Sequence, residues 1–147
     1  MHRFEHKYRL SGERARAIEA RCRQWMGFDP HSAAQGPAAR YVVRSLYFDT
    51  HNLAAYYDKL SGLLDRAKVR IRAYGPATGP GDAVFLELKQ RADALVNKVR
   101  YRMPEELAQR ARVDHGTRML TMLRRSKVLP DPLQRALMTP GLRPTVL

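Results

Sequence analysis

KVRIRAYG, Lys68 to Gly75, is the stretch whose reading decides the fold. Successive side chains of an extended chain turn to opposite sides, so Lys68, Arg70, Arg72 and Tyr74 share one face and Val69, Ile71 and Ala73 the other. One face can enter a core while the other is a row of cations. Like charges at that spacing repel each other unless an anion lies against them. The stretch therefore predicts a strand of a half-buried sheet, and it asks for an anionic partner.

Working outward, the same design recurs. In AVFLELKQR (residues 83–91), Phe85, Glu87, Lys89 and Arg91 oppose Leu86 and Leu88, and in NKVRYRM (97–103), Lys98, Arg100 and Arg102 oppose Val99, Tyr101 and Met103. The Gly/Pro-rich GPATGPGDA between the first two reads as a turn. Upstream, YVVRSLYFDT (41–50) is rich in β-branched and aromatic residues and predicts a buried strand, with Tyr41 and Tyr47 in the core along with Tyr56 and Tyr57. RFEHKYRL (3–10) alternates Phe4, His6 and Tyr8 with Arg3, Glu5, Lys7 and Arg9, which predicts an N-terminal strand with one charged face.

Between the strands the period changes. SGERARAIEARCRQWM predicts a helix with Ser11 as N-cap and Ala15, Ile18, Cys22 and Trp25 on its apolar side. HNLAAYYDKL predicts a short helix that buries Leu53, Tyr56 and Leu60, bracketed by Asp49 and Asp58 as capping residues. From Pro104 to about Leu129 the chain reads helical, and PDPLQRALM adds one more short helix. The sum is an α+β fold: meandering antiparallel strands with a cationic face, and helices over the apolar face.

The 147 residues carry a net charge of +13, with 44% hydrophobic and 28% charged residues, a globular balance with a polyanion as the expected partner. A lone cysteine, Cys22, excludes an internal disulfide and, with no CxxC or Cys/His cluster, a zinc site; it reads as core filler. No apolar run approaches the ~18 residues of a membrane span, and MHRFEHKYRL lacks the apolar core of a signal peptide, so a cytoplasmic location is expected. The five histidines have no metal-ligand spacing, and neither GxxxxGK[ST] nor GxGxxG is present. Cations converging from several strands suit phosphate oxygens, because Arg–phosphate pairs are bidentate and an empty cluster repels itself. Glu5 or Glu87 among them can neutralise and orient a neighbouring Lys or help hold a divalent ion on a phosphate chain.

FEHKY, RSLYFDT, a short helix ending in DKLSG, KVRIRAYG, FLELK and KVRYRM, in that order over residues 3 to 103, resemble the VTC domain. This is the polyphosphate polymerase domain of the vacuolar transporter chaperone family, within the triphosphate tunnel metalloenzyme (CYTH-like) superfamily. The resemblance implies an antiparallel β-barrel around a tunnel lined with Lys and Arg, which binds a nucleoside triphosphate or polyphosphate with Mg or Mn. It also implies transfer of the nucleotide γ-phosphate to inorganic polyphosphate. Carried over by motif, Lys7, Arg70, Arg72 and Lys89 match phosphate-contacting positions, with Arg70, Arg72 and Lys89 taken as catalytic. Lys98, Arg100 and Arg102 complete the phosphate-binding set, and Glu5 and Glu87 stand at acidic, metal-binding positions.

The resemblance implies a single domain over residues 1–147, with GLRPTVL falling where such sequences enter their next strand. The expectation is therefore a chain cut short before the second half of the tunnel, which would carry the principal metal ligand. Two other functions compete with the polymerase: a triphosphatase using the same tunnel with water as acceptor, and a non-catalytic polyanion-binding module. Nucleic acid ranks last among the partners, because the basic strands offer only Tyr74 and Phe85 as stacking aromatics. A membrane-associated partner is left open by the sequence.

Overall fold

The computed structural model of the protein describes residues 8–28, 42–74, 83–93, 95–114 and 116–145. The chain divides into two compact units, Met1–Tyr41 and Val42–Leu147.

In the first unit, helix α1 spans Gly12–Cys22 and starts as predicted, with Ser11 Oγ accepting a hydrogen bond from the Arg14 amide at 3.3 Å. None of its residues is buried, and Cys22 is an exposed free thiol rather than core filler. GERARAIEARC explains this, because Ile18 is its one large aliphatic residue and so narrow a stripe has little apolar area to bury. Tyr8 to Leu10 form no strand; the rest of the predicted N-terminal strand, with Glu5 and Lys7, lies outside the described residues.

The described residues of the second unit form five strands: β1 Val43–Asp49, β2 Arg66–Tyr74, β3 Val84–Ala92, β4 Leu95–Arg102 and β5 Arg143–Thr145. They form one antiparallel sheet in the order β4-β3-β2-β1-β5, which does not close into a barrel among the described residues. Four helices accompany it: α2 Ala54–Leu60, α3 Glu105–Val113, α4 Thr117–Arg125 and α5 Asp131–Leu137.

Alternation in β2 and β3 sorts the side chains as the sequence requires. Val69, Ile71 and Ala73 of β2 and Val84, Leu86 and Leu88 of β3 are buried. They join Ala108 and Ala111 of α3, Met119, Leu120 and Leu123 of α4 and Leu133 and Leu137 of α5 in one core. Each fully buried leucine contributes about 2 kcal/mol of apolar burial, which holds three helices against the back of the sheet. Arg124 reinforces that layer by donating from Nε to the Leu137 carbonyl at 2.8 Å, at the C-terminal end of α5.

Several expectations are corrected. The expected helix from Pro104 to about Leu129 is two helices, broken where the Asp114 carboxylate accepts from the Gly116 amide at 2.9 Å in a local turn. Helix α2 buries none of its residues, and Leu60 at its end is exposed, because a seven-residue helix held by its start presents little area to the core. Strand β1 is buried only at Phe48 and Asp49. Tyr57 is exposed, and Tyr47 stands on the charged side of the sheet rather than in the core, since it has the opposite parity to Phe48.

Candidate anion-binding site

Register brings the cations together in rows that cross the sheet. In the first row, Lys68, Lys89 and Lys98 are cross-strand partners on β2, β3 and β4. In the second, Tyr47, Arg70, Glu87 and Arg100 are partners across β1 to β4. In the third, Ser45, Arg72, Phe85 and Arg102 are partners across the same four strands. Six of the seven predicted phosphate contacts, all but Lys7, therefore lie within the described residues, Lys89 on β3 itself and the other five on β2 and β4 beside it. The alternation of β4 places Lys98, Arg100 and Arg102 on that face together.

Glu87 stands at the centre of the second row and is only 1% exposed. Its Oε2 lies 2.7 Å from Arg70 Nη2 and 3.9 Å from Arg72 Nε, and its Oε1 lies 2.9 Å from Lys98 Nζ and 3.0 Å from Arg100 Nε. Burial alone would raise the Glu87 carboxyl, but the hydrogen bonds from Lys98 and Arg70 and their charges outweigh it and hold the group below the usual carboxylate range. The carboxylate is ionised, with Oε2 hydrogen-bonded by Arg70 and Oε1 ion-paired with Lys98 and Arg100. It supplies one negative charge for four cations.

The guanidiniums are fixed from both ends. Arg70 donates from Nε to Glu87 at 2.8 Å and from Nη1 to the Tyr47 hydroxyl at 3.0 Å. Arg100 donates from Nη2 to the Tyr74 hydroxyl at 2.8 Å and stands over Phe85, with Cζ 3.6 Å from the ring centroid. Arg72 donates from Nε to Ser45 Oγ at 3.3 Å. Each keeps terminal N–H groups for a further acceptor, in an orientation set before the acceptor arrives.

The lysine row behaves differently. Lys68 and Lys89 form no ion pair with any described residue, and only Lys98 reaches a carboxylate. Burial lowers the pKa of Lys68, and the neighbouring charges of Lys59 and Arg66 lower it further against the opposing pull of Tyr47 and Asp49. Three ammonium groups in register, with one carboxylate reached by one of them, form the least neutralised part of the face.

A profile of the VTC domain matches residues 2–147. The chain belongs to the VTC domain family. Membership in this family points to a polyphosphate-related function. No curated protein and no solved structure matches the chain. No helix among the described residues is long and apolar enough to cross a membrane.

The divalent ion that the family implies finds no ready set of ligands among the described residues: no group of three or more His, Cys, Asp or Glu side chains there could hold a metal ion. Glu87 does not fit a Mg or Mn ligand in this arrangement, because four cations surround its two oxygens. Glu5 lies outside the described residues. Asp49, the other buried acid, caps helix α2: it accepts from the Ala55 amide at 2.9 Å and the Tyr56 amide at 3.1 Å, so capping accounts for it as the sequence indicated.

Reading from the sequence missed Tyr47 and Ser45, the hydroxyls that orient Arg70 and Arg72. The signal was available in the alternation of RSLYFD, where Leu46 and Phe48 take the apolar side and leave Ser45 and Tyr47 to the other.

Proposed function

We propose that this VTC domain binds a linear phosphate chain, as nucleoside triphosphate or inorganic polyphosphate, on the cationic face, and that it transfers the nucleotide γ-phosphate onto polyphosphate. The observation that carries this reading is the row Lys68, Lys89, Lys98, three cross-strand cations of which only Lys98 is paired. Like charges directly opposite one another destabilise a sheet, and a phosphate chain laid along them reverses the sign of that interaction.

Phosphoryl transfer asks a protein mainly for positioning and charge neutralisation. Arg70, Arg72 and Lys89 are the groups proposed to neutralise the transferring phosphoryl. Lys98, Arg100 and Arg102, with Lys7 of the family motif, bind the remainder of the chain. In this reading the open sheet is one wall of the tunnel, and Mg or Mn arrives on the phosphate chain with no ligand assigned among the described residues. Base stacking, which nucleic acid would need, finds the Phe85 ring already covered by Arg100.

The test is the melting temperature of the whole chain titrated with tripolyphosphate and with ATP, with and without Mn, for the parent and for a Lys68→Gln/Lys89→Gln double variant. A ligand that binds only the folded state raises the melting temperature. A rise in the parent that the double variant loses supports the reading; equal rises in both would defeat it. Long phosphate chains accumulating from ATP on a gel separate the polymerase from a triphosphatase.

A further inference from the structure

The geometry points to Tyr47 as a third side of the anion site, its phenolic hydroxyl donating to an oxygen of the bound phosphate chain; this rests on the proposed phosphate reading. Tyr47 lies on β1, between its cross-strand partners Arg70 of β2 and Thr145 of β5, and so extends the face beyond the three basic strands. Its oxygen accepts from Arg70 Nη1 at 3.0 Å, and the Arg70 guanidinium carbon stands 5.8 Å from the ring centroid. A hydroxyl that accepts from a cation must send its own proton elsewhere. No described residue receives it.

Arg70 is anchored on Glu87 through Nε and Nη2. The position of its third nitrogen, and with it the Tyr47 oxygen, is therefore settled by the protein. An anion that takes the outward proton of Arg70 Nη1 comes next to the phenolic oxygen, where the free O–H completes a charge-assisted pair. The charges around Tyr47 favour this. Burial would raise its pKa, but the hydrogen bond from Arg70 and the charges of Arg70, Arg72 and Lys68 lower it overall, which makes the O–H a stronger donor. Those cations come from β2, and Glu87 of β3 faces Tyr47 only through Arg70; Thr145 of β5 adds no charge. The pair Arg72–Ser45 repeats the arrangement one row along, with Nε to Oγ at 3.3 Å.

The experiment is calorimetric titration of tripolyphosphate into the whole chain for the parent, Tyr47→Phe and Lys68→Gln/Lys89→Gln, joined to an ultraviolet titration of tyrosinate in the parent with and without tripolyphosphate. Tyr47→Phe is expected to bind about tenfold more weakly with its melting temperature little changed. A bound anion disfavours a neighbouring phenolate, so tripolyphosphate is expected to raise the pKa of one more tyrosine in the parent than in Tyr47→Phe, where Tyr74, hydrogen-bonded to Arg100, is left to respond. A tyrosine response to tripolyphosphate that is the same in the parent and in Tyr47→Phe belongs to Tyr74 and overturns the assignment. Parent-like binding by Tyr47→Phe, with binding lost in the lysine variant, overturns the inference and leaves the proposed function standing. Binding retained by the lysine variant overturns the proposed function itself. Should Tyr47→Phe fail to fold, the parent titration decides alone: no tyrosine sensitive to tripolyphosphate overturns the assignment.

Discussion

Arg70 and Glu87 are cross-strand partners on β2 and β3, and the guanidinium sets Nε at 2.8 Å and Nη2 at 2.7 Å from the same carboxylate oxygen. The second oxygen belongs to Lys98 and Arg100. A protein carboxylate thus stands among cations that a bound anion would also seek. The cluster can fold without ligand because Glu87 is there, and it remains attractive to an anion because one charge does not neutralise four.

Glu87→Gln should destabilise the protein by about 2–3 kcal/mol at neutral pH. This is less than the ~3–5 kcal/mol lost on breaking a fully buried pair, because Lys98 and Arg100 keep part of their hydration. Tripolyphosphate should restore much of the loss and so raise the melting temperature more in the variant than in the parent. Denaturant unfolding with and without tripolyphosphate checks both; a variant as stable as the parent, or less responsive to the anion, contradicts this account.

The pH dependence follows from the lowered Glu87 pKa. A carboxyl whose folded pKa lies below its ordinary value of about 4.5 adds stability that is complete above that value and is lost as pH falls through the folded one. Stability should therefore decline below about pH 4.5 with a Glu87 component that Glu87→Gln lacks. Parallel acid profiles for the two proteins would show that the carboxylate is not held as described.

Lys68 has the opposite sign. Its folded pKa is lowered, so the charged lysine penalises the fold at neutral pH, and the penalty is relieved as pH rises from the folded pKa toward 10.5. Lys68→Gln should stabilise the free protein by about 0.5 kcal/mol, the size of a cross-strand charge interaction, while weakening tripolyphosphate binding about tenfold. The test is whether melting temperature and affinity move in opposite directions.

Asp49→Ala should cost about 2 kcal/mol, the upper range for a helix cap, since the carboxylate also accepts from the Thr50 amide at 2.7 Å and is 3% exposed. The cap holds Leu53 at φ 55, a left-handed conformation uncommon for a branched side chain. Asp49→Asn, which keeps an acceptor, should lose about half as much in the same unfolding measurement.

The sheet was legible because KVRIRAYG, FLELK and NKVRYRM each alternate without interruption, and alternation alone assigns every side chain to a face. Burial of the helices was less so. Ala15, Ile18 and Cys22 have helical spacing, yet spacing does not say whether a stripe is wide enough to bury, and in α1 it is not. At Asp114 to Gly116 a side chain closing a local turn outweighed the continuous helical period around it. Among the site residues, charge marked the lysines and arginines, whereas Tyr47 looked apolar beside Phe48, and only the register against Arg70 reveals its hydroxyl as part of the charged face.

Strand β4 is the outer strand of the sheet among the described residues, and Lys98, Arg100 and Arg102 alternate along it. An outer strand offers unpaired backbone groups to any second chain, and a line of positive side chains makes a second copy of itself an unwelcome neighbour. Cations proposed to attract phosphate would thereby also disfavour edge-to-edge pairing of two copies along β4. Binding a polyanion would cancel that mutual repulsion, so the ligand that completes the face would also remove a barrier to joining edge to edge.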